Sequence, residues 1–170
     1  MENQINFNVM QALQFISILL TGLLAGLFYG YDCSVIKGLG NLPNDEYIHA
    51  FQSINKSIQN PYFFVSFIGI FFVLPITTWL SYKTCGQATF YLLLSATIIY
   101  VFGVLVVTLF GNVILNEQLT KFTISNSTNN EFLEMRKAFE KPWNSYHRIR
   151  TIASIVSFSL TILSILKNKV

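Results

Sequence analysis

Residues 87–110 read QATFYLLLSATIIYVFGVLVVTLF and carry no charged side chain. A hydrocarbon core about 30 Å thick is crossed by about 20 helical residues, so this run is long enough to span it. Residues 62–82 precede it across the short Tyr82–Gly86 connection, and residues 10–31 form another uncharged run. A fourth span is expected over residues 143–166, with Pro142 suited to its first turn. The purely apolar part of that span is Ile152–Leu166, and Trp143 to Arg150 form an interfacial extension. Tyr31, Tyr62, Tyr82, Trp143 and Tyr146 sit at span ends, where aromatic belts meet the bilayer surface.

Composition agrees with this pattern. Charged residues make up 11 % of the 170, against about 25 % in soluble domains. They crowd into the segments between the apolar runs, as expected when a bilayer core excludes charge. The length suits one domain, 1–170, and no linker or low-complexity tract divides it. The net charge of +3 is small and no basic patch forms, which excludes nucleic acid as a partner class. The N-terminal residues lack a basic region and a cleavage-site pattern, so the first run reads as a retained helix.

The expected fold is all-α: a four-transmembrane-helix bundle with a short amphipathic helix in the first long loop. That helix falls on residues 44–59, where Tyr47, Ile48, Phe51, Ile54 and Ile58 recur at helical spacing. It lies on the membrane surface or caps the bundle. Four spans put both termini and Tyr82–Gly86 on one face, and the connections Asp32–Pro61 and Gly111–Pro142 on the other. Lys83, Lys167 and Lys169 in short segments favour cytoplasmic termini, against Arg148 and Arg150 near the fourth span. Cys33 and Cys85 fall on opposite faces, which rules out a disulfide between them.

Most polar residues of interest lie on the long-loop face. Tyr146, His147 and Arg150 stand three, four and seven residues after Trp143, so the four share a helical side. Asn112 and Asn116 lie one turn apart beyond the third span. Two readings stand: interfacial anchoring, with Arg150 on lipid phosphate, or an inward pocket walled by Asn112, Asn116, His147 and Arg150. His49 and His147 are the two histidines; a haem held between them is conceivable, but the expectation is no cofactor and no metal. None of G-x-S-x-G, the P-loop, C-x-x-C or H-E-x-x-H occurs. Gly22, Gly26 and Gly30 line one side of the first span and allow close helix approach, within the bundle or between two copies.

Four segments in order carry a resemblance: GLLAGLFYGYDCSVIKGL (22–39), FQSINKSIQNPYF (51–63), ILNEQL (114–119) and WNSYHRIRT (143–151). The chain resembles the small four-helix membrane proteins grouped with the fungal anthrone oxygenases, over nearly its whole length. The resemblance places the family's Gln-x-x-Asn element on Gln52 and Asn55, its later Asn on Asn116, and its Trp and Arg on Trp143 and Arg150. Ile114 stands where the family commonly has Pro, and His147 where it often has Asn.

The resemblance implies oxidation of an activated CH₂ in a polycyclic phenol by O₂, without a cofactor. His147 would act as base and Arg150 would stabilise the anion, as catalytic residues. Gln52, Asn55, Asn116, Trp143 and Tyr146 would bind the substrate, an apolar aromatic molecule. The implied location is the bacterial inner membrane, with the bilayer itself as partner. The alternative reading is a non-enzymatic membrane subunit that binds lipid, quinone or a protein. Transport is less favoured, because no charged residue sits deep within a span.

Overall fold

The computed structural model describes residues 2–125 and 127–167, with side chains from residue 8 onward. Asn126, in the polar connection after the third span, and Lys169 lie outside the described residues. Every regular element among the described residues is helical. The first rod comprises α1 (Glu2–Gly30), a π-helical stretch Tyr31–Val35, and α2 (Ile36–Gly40). The amphipathic helix α3 (Asn44–Ser57) follows, then α4 (Pro61–Thr84), in which Asn60 Oδ1 accepts from Phe63 N–H and Pro61 occupies the first turn. The third rod joins α5 (Gln87–Ile99), π-helical stretches Tyr100–Val106 and Thr108–Asn112, and α6 (Val113–Lys121). The last is α7 (Asn129–Lys167).

Four rods are long and apolar enough to cross a membrane: Asn8–Gly40, Pro61–Thr84, Gln87–Lys121 and Asn129–Lys167. Phe15, Phe72, Phe102 and Ile152 are among the large apolar side chains turned outward, as lipid solvation permits. The interior is unlike an oily soluble core. Along α7, Thr151, Ser154, Ser157, Thr161 and Ser164 form a buried stripe of small hydroxyl residues. All but Ser157 donate to carbonyls of their own helix or one turn back, and Ser157 donates to the Ala96 carbonyl of α5 at 2.9 Å. Small side chains let these backbones approach closely, which is how helices associate where apolar burial gives no advantage over lipid. Gly103 shows the limit: a Cβ there would lie 2.6 Å from that of Ala153.

Two expectations on boundaries need correction. The fourth helix begins at Asn129, well before Pro142, and passes through that proline. The cause is a capping box: Glu131 Oε2 accepts from Thr128 N–H at 2.6 Å while Glu131 N–H donates back to Thr128 Oγ1 at 3.4 Å. The long connections are likewise mostly helical. The third rod runs past Phe110 to Lys121, and the first runs past Tyr31 to Gly40.

The open question about α3 resolves as a cap. Tyr47, Ile48 and Phe51 are buried against Leu39, Leu119, Phe139 and Trp143, in a second core above the spans. Arg136 of α7 clamps this cap, donating to the carbonyls of Gly40 and Leu42 at 2.8 and 2.7 Å while pairing with Glu140. Burial in this cap pushes the Tyr47 phenol well above its usual range, with Glu140 adding to the shift and Arg136 opposing it. Cys33 and Cys85 are both free.

Candidate functional site

Between the cap and the spans lies a cavity of about 540 Å³. Phe28 and Tyr31 reach it from the first rod, Asn55 from α3, Phe63 and Phe67 from α4. The third rod contributes Thr108, Asn112, Asn116 and Glu117, and α7 contributes Trp143, His147 and Arg150. Tyr31, Thr108 and Asn112 all fall in the π-helical stretches. A π turn spends an extra residue and rotates the faces that follow, and such turns concentrate at functional sites.

Arg150 and His147 are buried and bonded to each other. The guanidinium offers Nε and Nη2 to His147 Nδ1 at 3.1 and 2.8 Å, and it lies 4.5 Å from the Phe28 ring centroid. A guanidinium can only donate, so Nδ1 is the accepting nitrogen and Nε2 carries the ring proton. That proton is donated to the Phe28 carbonyl at 3.1 Å. Trp143 stacks on the imidazole at 5.0 Å and 8°, and its indole N–H donates to Asn116 Oδ1 at 2.7 Å. The Trp143 carbonyl accepts from Asn112 Nδ2 at 3.1 Å. Five residues from two rods are therefore locked into one polar wall.

Two features of this wall are unpaired. No carboxylate lies within ion-pair distance of Arg150 among the described residues, where the ion pairs are Arg136–Glu140 and Lys137–Glu134. Four buried polar atoms that border the cavity lack a hydrogen-bond partner: Tyr31 OH, Asn55 Nδ2, Thr108 Oγ1 and Asn112 Oδ1. Buried polar atoms are almost always paired, so four together mark a place where another molecule completes the bonding. Donors and acceptors are both represented.

The residues expected from sequence divide clearly. Asn55, Asn116, Trp143, His147 and Arg150 converge on the cavity. Gln52 does not line it; its amide donates to the carbonyls of Leu119 and Phe122 at 2.7 and 3.1 Å and so ties α3 to the end of α6. Tyr146 also stays outside, its ring pressed against Gly111, where a Cβ would lie 2.7 Å from it. His147 has no free lone pair: both ring nitrogens are engaged, which leaves it ill-suited to take a proton as a base. His49 is exposed on α3 and does not line the cavity, so the two histidines do not meet in one site.

Sequence reasoning missed Phe28, Thr108 and Glu117 as wall residues. Thr108 was within reach: with Asn112 and Asn116 it makes a series at intervals of four. Glu117 adjoins Asn116 in the ILNEQL segment and, among the described residues, is the one carboxylate lining the cavity. Among the described residues no group of three or more His, Cys, Asp or Glu could hold a metal ion.

The family model for anthrone oxygenase matches residues 50–160. The chain belongs to the anthrone oxygenase family. The matched stretch reaches from α3 through most of α7 and includes Asn55, Asn116, Trp143, His147 and Arg150. Phe28 and Tyr31 precede it, so in this anthrone oxygenase family member the carbonyl that fixes His147 comes from outside the matched segment. Searches among curated proteins and among solved structures gave no match.

Proposed function

We propose that this family member is a membrane-embedded oxygenase that holds a fused-ring phenol as its anion and exposes that anion to dioxygen. One observation carries the reading: a buried guanidinium without a counter-ion beside four partnerless polar atoms. Arginine cannot shed its charge by losing a proton, and a buried unpaired cation costs several kcal/mol by the usual order of magnitude. An enolate or phenolate oxygen supplies the missing charge. Tyr31 and Asn55 have donors free for the remaining ring oxygens, and Phe63, Phe64 and Phe67 supply aromatic wall for the fused rings. The family relationship supports oxygenase-type chemistry, and the matched stretch includes most of this polar wall.

The reaction balances without a further reagent. The CH₂ between the rings loses a proton, and the resulting carbanion is delocalised as an enolate beside Arg150. The enolate gives one electron to dioxygen, and the carbon radical and superoxide join through a new C–O bond to give a peroxide anion. After this oxygen takes a proton, loss of the second C–H proton breaks the O–O bond. The carbon becomes a carbonyl and hydroxide leaves as water, so that CH₂ and O₂ give C=O and H₂O. His147 holds Arg150 in place, and Glu117 is the proton acceptor nearest in kind to the task.

The test is oxygen uptake with 1,8-dihydroxyanthrone by the purified protein, measured above the uncatalysed background. Uptake matched by quinone formation, and lost in Arg150→Met, is the expected result; background rates in both proteins would overturn the reading. The competing reading is a non-enzymatic binder of quinone or lipid in the same cavity. A neutral quinone would leave Arg150 uncompensated, which is why the anion is preferred.

A further inference from the structure

The cavity has two kinds of border. On the cap side it meets Ile54 and Ile58 and then the exposed polar side chains of Gln59, Glu117, Thr120 and Lys121. On the span side its wall includes Phe63, Phe64, Leu109 and Val113. The second and third rods are stitched together on their other halves. Thr78 Oγ1 and Thr97 Oγ1 lie 2.8 Å apart, and Tyr100 OH donates to the Phe67 carbonyl at 2.7 Å. Beyond that last bond, toward the long-loop face, no hydrogen bond joins α4 to Thr108–Lys121 among the described residues. Phe64 lies two heptads before Thr78 and so shares its side of α4, the side that faces the third rod. Yet Phe64 is 42 % exposed and Leu109 46 % exposed, although both line the cavity. The seam between the rods is open there.

We infer that the cavity takes its ligand sideways from the hydrocarbon layer, through the seam between the second and third spans whose lips are Phe64 and Leu109. The occupant is a fused-ring molecule dissolved in the membrane, which reaches the polar wall without crossing water. This deepens the reading above, since a polycyclic phenol partitions into lipid, and it selects against small water-soluble phenols. Thr108 and Asn112 line the cavity from buried positions while the adjoining Leu109 is exposed, so a ligand entering here meets the apolar edge first and the polar atoms last. The π-helical stretches Tyr100–Val106 and Thr108–Asn112 lie along this part of the third rod, where such turns often accompany functional sites.

The test needs no turnover. Trp143 lies on the cavity wall, and Trp79, the other tryptophan, is exposed on α4. In Trp79→Phe protein reconstituted in phosphatidylcholine vesicles, Trp143 fluorescence reports what enters. The probes are 2-bromonaphthalene, which quenches from the bilayer on contact, and iodide, which quenches from water. Strong quenching by 2-bromonaphthalene, weak quenching by iodide, and loss of the former in Leu109→Phe/Val113→Phe is the expected outcome. Both substitutions lie at partly exposed positions, and Phe64→Ala is the opposite probe, expected to raise quenching. Iodide quenching as strong as that by 2-bromonaphthalene, or quenching indifferent to all these substitutions, would overturn the lateral route in favour of the polar border. A lateral route without oxygen uptake would leave this inference standing and sink the oxygenase reading; uptake with iodide access would do the reverse.

Discussion

Replacing Arg150 by Met separates the charge from the space it fills. The thioether chain is of similar length and adaptable, and it can rest on the rings of Phe28 and Trp143 where the guanidinium now lies at 4.5 and 5.3 Å. Two effects on stability oppose each other. The variant loses an unpaired buried cation, whose replacement by apolar groups is often neutral or favourable. It also strands His147 Nδ1, which now accepts from both Nε and Nη2; an unsatisfied buried acceptor costs about 1–3 kcal/mol. The two offset, and the net change in unfolding free energy should stay within about 2 kcal/mol. Ligand binding has no such compensation. A hydrogen bond to a charged group contributes about 1.5–3 kcal/mol, so an anionic ligand should bind about 10- to 100-fold more weakly. Trp143 fluorescence titrated with 1,8-dihydroxyanthrone under anaerobic conditions measures the affinity, and thermal unfolding in detergent measures the stability. Unchanged affinity would refute the counter-ion argument, and loss of the folded state would make Arg150 a structural residue.

Gln52→Leu should lower stability by about 1–3 kcal/mol, because the Phe122 carbonyl loses its donor and the Leu119 carbonyl keeps only that of Phe122 N–H, while anaerobic ligand affinity stays put. A large fall in affinity at unchanged stability would return Gln52 to the binding site. Gly103→Leu should prevent close packing of the third and fourth spans and abolish a monodisperse folded species on size-exclusion chromatography. Gly26→Leu should be tolerated, since a Cβ there meets nothing within 4 Å; equal behaviour of the two would contradict the packing described. Arg136→Lys should loosen the cap and raise proteolysis between Asn41 and Asn44, because an ammonium cannot reach both carbonyls and Glu140 in the same fork geometry.

Much of the architecture was legible because charge exclusion is a blunt constraint. A run such as residues 87–110 has few other homes, and the spacing of Tyr47, Ile48 and Phe51 on α3 marks a buried face whatever covers it. What failed was local. Pro142 reads as a helix start until the Thr128–Glu131 capping box fixes the start upstream. The π stretches leave no comparable signature, so the sequence could not tell how Tyr31 and Thr108 turn. The wall residues on α7 were visible as one helical side, but their roles depended on who bonds to whom. His147 reads as a base by residue type; its Nδ1 faces a guanidinium and its Nε2–H a carbonyl, which spacing along α7 does not reveal.

The central claim is that the cavity holds its ligand as an anion against Arg150. It is tested most directly by the absorption spectrum of 1,8-dihydroxyanthrone bound to the protein without oxygen, at a pH where the free compound is neutral. The account predicts the red-shifted spectrum of the anion on binding, absent in Arg150→Met. A bound ligand that keeps the neutral spectrum would contradict it.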